Sequence, residues 1–177
     1  MSTAPSDDGF TETQVRVRYA ETDQMGVVYY ANYFIWFEVG RVEHLRARGI
    51  SYRDMENDDG CKIAVVDARC RYKAPARYDD VVTIRTRVAR RRGSIVHFEY
   101  QAVRAADGLL LAEGETVHVC IDNNFEACAL PEKYHATLVG AGPSAAKPRV
   151  PLVLAPARGP QSPESVLRPT GDVSHEW

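Results

Sequence analysis

No apolar run in this 177-residue chain approaches the ~18 residues that a membrane-spanning helix needs. Charge of one sign is missing too. The formal net charge is -2, so no global field draws the protein to nucleic acid or to an anionic membrane, and an anionic ligand has to be met by a local basic patch. Cysteine is scarce: Cys61, Cys70, Cys120 and Cys128 are all there is, and no pair has the CxxC spacing of a zinc knuckle or a redox dithiol. His44, His97, His118, His135 and His175 show no metal-ligand spacing. A Gly-rich phosphate loop and a GxSxG nucleophile elbow are both absent. Residues 1–14 are polar and acidic, without the apolar run of a signal peptide. The expectation is a cytoplasmic protein with free, buried thiols.

What is present is the balance of a globular domain, with 45% hydrophobic and 26% charged residues. Seven of the ten prolines lie beyond Gly140, among alanine, serine and glycine, where neither a helix nor a central strand can propagate. The chain therefore divides into a flexible leader (1–12), one folded unit (13–139) and a Pro/Ala-rich tail (140–177).

Within the folded unit, Thr13–Tyr19 alternates polar and apolar residues as a half-buried strand does. Turn-forming residues 21–26 follow. From Tyr30 to Arg48 there is no proline, and Gly49 supplies a stop, which predicts one long helix. Its first half is apolar nearly all round, so burial on most sides is expected. Gly40 in its interior weakens the helix by about 1 kcal/mol, which points to close contact with a sheet. A short helical turn within 50–60 precedes strands at Cys61–Tyr72, Val81–Arg90, Ser94–Arg104 and Leu109–Ile121. Gly93 and Asp107-Gly108 read as hairpin turns. The class is α+β: an antiparallel meander curled around one central helix.

Asp23 sits between the first strand and the helix, three residues before Gly26. From residue types alone it reads equally as a reactive carboxylate or as an Asx-turn or helix cap. The surrounding stretch, Tyr19-Ala20-Glu21-Thr22-Asp23-Gln24-Met25-Gly26-Val27-Val28-Tyr29-Tyr30-Ala31-Asn32-Tyr33-Phe34, resembles the opening motif of the 4-hydroxybenzoyl-CoA thioesterase family, YbgC-type enzymes included. The resemblance continues through Trp36-Phe37-Glu38, through residues 72–80, and into Ala129-Leu130-Pro131.

This resemblance implies the hotdog fold, a five-stranded antiparallel sheet wrapped around one long helix. It implies an acyl-CoA thioesterase that works as a homodimer at minimum, commonly a homotetramer, with active sites between subunits. Coenzyme A is then part of the substrate and no cofactor is required. Asp23 takes the role of nucleophile or general base. The N–H of Tyr30, near the positive end of the helix, polarises the carbonyl. Some YbgC-type members carry histidine where this chain has Tyr30, so imidazole assistance is not expected. Gly26, Val27, Phe34, Glu38, Ile63 and Val65 are assigned to the substrate pocket, with Phe37 as a further lining candidate and Trp36 placed either there or in the core. Arg91 and Arg92, at the predicted hairpin, are assigned to the nucleotide end of coenzyme A, because the guanidinium fork matches phosphate; Lys73 and Arg77 are weaker candidates. The alternatives are a thioesterase for acyl groups on a carrier protein and a non-catalytic acyl-CoA-binding module.

Overall fold

A computed structural model describes residues 9–136 and 138. Their order is β1 (Thr11–Arg16), a 3-10 turn (Tyr19–Glu21), α1 (Asn32–Arg46), α2 (Tyr52–Asn57), β2 (Lys62–Tyr72), β3 (Val81–Arg92), β4 (Ile95–Arg104), β5 (Leu110–Ile121) and a second 3-10 turn (Glu132–Tyr134). The expected tail and residues 1–8 of the expected leader lie outside the described residues. The last part of that leader belongs to the fold. β1 begins at Thr11, and Phe10 is buried under the guanidinium groups of Arg85 and Arg87, each 4.6 Å from its ring centroid. These cation–π contacts join residues far apart in sequence, so local composition does not announce them.

The five strands form one antiparallel sheet in the order β1-β3-β4-β5-β2. The expected meander holds for β3 to β5 and fails for β2. That strand crosses to the far edge and pairs with β5, Lys62 opposite Ile121 and Tyr72 opposite Ala112. The link from β2 to β3, residues 73–80, is too long and too interrupted by Pro75 to close a hairpin, so adjacency in sequence does not become adjacency in the sheet.

α1 lies over β1, β3 and β4 and buries Tyr33, Trp36, Phe37, Gly40 and His44 against the sheet. Close approach is built in from both sides. A Cβ on Gly40 would come within 2.5 Å of Thr86 Oγ1, and one on Gly114 of β5 within 2.3 Å of the Phe37 ring. The opposite side of α1 corrects the expectation of burial on most sides. Ile35, Glu38 and Val39 are exposed.

Candidate active site

The loop between β1 and α1 is held as a small closed unit. Thr22 and Val28 form a bridge, and the Asp23 N–H donates to the Val27 carbonyl at 2.9 Å. Gly26 closes the turn by donating to the Asp23 carbonyl, also at 2.9 Å, with φ +70° and open space where a Cβ would stand. Its glycine is required by backbone conformation and not by crowding. Asp23 Oδ1 accepts the Met25 N–H at 2.8 Å, an Asx turn. The other carboxylate oxygen has no hydrogen-bond partner among the described residues. Both readings of Asp23 are therefore compatible: one oxygen anchors the loop and the second is available for chemistry.

Beneath this loop sits Glu21, which the sequence offers only as a turn residue. Its carboxylate is buried and accepts from the Arg18 N–H (2.8 Å), Arg18 Nη2 (2.9 Å) and the Trp36 indole N–H (3.1 Å). Its carbonyl accepts from the Tyr29 N–H and from Asn32 Nδ2, both at 2.8 Å. Desolvation is the largest single influence on this group and pushes its pKa up. The hydrogen bonds from Arg18 and Trp36 together outweigh it and hold the carboxyl below the usual carboxylate range. Glu21 thus ties the Asp23 loop to the first turns of α1. No local signal announces it: Trp36 is fifteen residues away and meets Glu21 only in the packed fold.

Tyr30 and Ala31 precede the first residue of α1, and their N–H groups have no acceptor among the described residues. These are the orphan donors of a helix start, near the positive end of its dipole. The Tyr30 carbonyl accepts from Tyr72 Oη at 3.0 Å, and the exposed Tyr30 ring packs on Tyr29 and Tyr72. Tyr72, at the end of β2, was not among the expected site residues. It positions the Tyr30 peptide from below. Val28 fixes the same segment by donating to the Ala76 carbonyl at 2.9 Å.

The remaining predicted residues separate into two groups. Gly26 and Val27 belong to the loop itself. Phe34 and Glu38 stand one turn apart on a flank of α1, and Ile63 and Val65 lie on β2, the edge strand beyond β5. Register places Ile63, Val65, Ala68, Cys70 and Tyr72 on the sheet face of Cys120, His118, Thr116, Gly114 and Ala112. The strip between α1 and β2 is therefore floored by β5. Phe37 and Trp36 do not line it: both are buried in the core.

Arg91 and Arg92 close β3 at the β3–β4 turn, where Gly93 takes φ +59°. Asp23 lies near the opposite end of β3, since Val17 donates to the Asp80 carbonyl. A strand of 12 residues separates the two ends by roughly 35 Å. A single chain does not bring Asp23 and these arginines together. Lys73 stays at the Asp23 end and pairs with Glu113 at 3.4 Å. Arg77 there is exposed. Two clefts of about 360 Å³ lie around Ser51 and Asp54, and neither includes a predicted site residue.

The family model for the thioesterase-like superfamily matches residues 17–151. A Bacillus subtilis protein described as a putative acyl-CoA thioesterase, YneP, is 38% identical over 112 residues, 63% of this chain and 80% of that protein. The acyl-CoA thioester hydrolase YbgC of Escherichia coli is 37% identical over 110 residues, 61% of this chain and 79% of the other. Among solved structures, the DHNA-CoA thioesterase of Staphylococcus aureus superposes with a TM-score of 0.66 at 33% identity, covering 72% of this chain and 85% of that one.

Proposed function

The chain belongs to the thioesterase-like superfamily and is a thioester hydrolase with the hotdog fold; on that premise we propose that it cleaves acyl-CoA to the free acid and coenzyme A with Asp23 as the reacting carboxylate. The single observation that carries this assignment is the pairing, within one loop, of an uncommitted Asp23 oxygen with an uncommitted Tyr30 N–H. The reaction needs both. Asp23 either attacks the thioester carbonyl, giving an anhydride that water then opens, or removes a proton from the attacking water. In each case negative charge develops on the carbonyl oxygen, and a preorganised N–H at a helix start stabilises it. The carbon–sulfur bond breaks and the thiolate leaves, taking up a proton. No cofactor enters this scheme.

The working unit is a homodimer, with a pair of dimers as the larger assembly. Supporting this, β2 is an open sheet edge among the described residues and exposes Val65 and Val66, while α1 exposes Ile35 and Val39. A second copy brings its own Arg91 and Arg92 toward the Asp23 loop that they cannot reach within one protomer. The substrate class is a short, medium or aromatic acyl group, and the place of action is the cytoplasm.

The assignment is tested by thiol release from a panel of acyl-CoA esters, with the same acyl groups presented on a carrier protein for comparison. Turnover of the coenzyme A esters is expected. Arg91→Ala and Arg92→Ala should each raise KM for them about tenfold, the loss of one charge-assisted hydrogen bond, with kcat little changed. Turnover of carrier-protein thioesters alone would make the basic hairpin a protein-docking patch. Tight binding without turnover would make the protein an acyl-CoA-binding module.

A further inference from the structure

The interior of the α1–β2 strip holds a polar chain that thioester hydrolysis does not use. Arg41 lies on the same flank of α1 as Phe34 and Glu38, by helical spacing, and it is half-buried. Its Nε donates to Tyr52 Oη at 2.9 Å, and its guanidinium also bonds the Tyr100 hydroxyl. From Tyr100 the chain continues to Thr116 Oγ1 at 2.8 Å and from there to His118 Nε2 at 2.7 Å. Tyr100, Thr116 and His118 are buried.

Every one of these partners is neutral, because burial first and the neighbouring guanidinium second hold the His118 pKa down to about 3. No carboxylate lies within ion-pair distance of Arg41 among the described residues, Glu38 on the preceding turn included. A half-buried guanidinium without a counter-charge is costly unless something anionic completes it. Arginine keeps more donors than two phenols can occupy.

We propose that Arg41 is the specificity-determining residue of the acyl site and receives a carboxylate at the far end of the acyl chain, so that the preferred substrates are coenzyme A monoesters of dicarboxylic acids. The inference rests on the thioesterase reading above, with the thioester at Asp23 and Tyr30, and extends it by running the acyl group along the sheet face between α1 and β2. Arg41 is nine residues beyond Asn32, about 14 Å along the helix axis, with its side chain leaning back toward the helix start. That separation suits a medium-length chain. Tyr52 and Tyr100 hold the guanidinium with two neutral acceptors and leave its charge for the ligand.

The test compares adipyl-CoA and suberyl-CoA with hexanoyl-CoA and octanoyl-CoA, pairs matched in carbon number, on the wild-type enzyme. A preference of at least ~10-fold in kcat/KM for the carboxylated member of the longer pair is expected, the worth of one charge-assisted contact. In Arg41→Met the preference should vanish through KM, with octanoyl-CoA turnover retained. Arg41→Lys should keep part of it, and decides the matter if Arg41→Met does not fold. Equal wild-type rates on matched pairs overturn the inference and leave the thioesterase reading standing. So does an Arg41→Met protein that falls apart into monomers while the wild type shows no preference, since Arg41 would then pair with the partner subunit. Absence of hydrolysis on all four esters also overturns the inference, while silence on short and aromatic acyl-CoA esters as well would be needed to remove the thioesterase reading itself.

Discussion

Lowering the pH from 7 to 5 is expected to destabilise the protein by about 4 kcal/mol, about 2 kcal/mol from each of two buried histidines. His44 and His118 are fully buried, and each has its pKa lowered to about 3. Burial is the larger cause for both. Arg48 adds to it at His44 and Arg41 at His118. The geometry agrees, because Arg48 Nη1 lies 3.0 Å from His44 Nδ1, and a guanidinium can only donate, so that nitrogen must be an unprotonated acceptor. Unfolded histidine binds a proton near pH 6.5. The folded form refuses it until about pH 3, so stability is complete above pH 6.5 and drains away as the pH falls between those values. Urea unfolding at pH 7 and pH 5, at constant ionic strength, measures the difference. His44→Gln and His118→Gln should each flatten the dependence by about half. Glu21, whose carboxyl is held below the usual range, contributes in the same direction but only at more acid pH, below the ordinary carboxylate pKa. A pH-independent midpoint between 7 and 5 would mean that both histidines take up protons inside the fold.

Gly114→Ala should be among the most destabilising single-methyl changes in the chain, by about 3 kcal/mol, or roughly 10 °C of Tm. The new Cβ would lie 2.3 Å from Phe37 Cε2, 2.6 Å from Cζ and 2.9 Å from Cδ2. The Phe37 ring has no room to retreat, because it is fully buried and stacks on Tyr100 with centroids 4.7 Å apart. The diagnostic is a double-mutant cycle. Phe37→Leu removes the atoms that clash, so the pair should be less destabilised than the sum of the singles. Strict additivity would show that Phe37 is not what the methyl meets.

The elements themselves were legible in the residues. Strands β2 to β5 and helix α1 begin and end within two residues of their expected bounds, because periodicity and turn glycines are local signals. Gly40 was legible for the same reason: a costly glycine inside a helix announces a neighbour, and Thr86 is that neighbour. Three features were not. β2 leaves its sequence neighbour for the far edge of the sheet, a choice made by long-range pairing and invisible to any window of sequence. Glu21 looked like a turn residue, yet it is the buried anchor of the loop, and its partners Arg18 and Trp36 become neighbours only once β1 and α1 have packed. Phe37 was a candidate for the pocket wall and proved to be core, because a helix that is apolar all round does not say which side meets the sheet. Of the candidate site, the Asp23 loop was readable as a unit. The distance from it to Arg91 and Arg92 was not, since a strand's length separates them within the chain.

Thiol release by Asp23→Asn, measured beside the wild type on an acyl-CoA ester that the wild type hydrolyses, bears most directly on the assignment of Asp23. Asparagine keeps the Oδ1 acceptor that holds the Met25 N–H, so the loop and the melting temperature should be preserved while the negative charge is lost. A fall of at least ~100-fold in turnover, about 2.7 kcal/mol of barrier, is the expected result. Turnover equal to the wild type in a folded Asp23→Asn protein would contradict it, leaving Asp23 as an Asx-turn anchor and Glu38 as the carboxylate to examine.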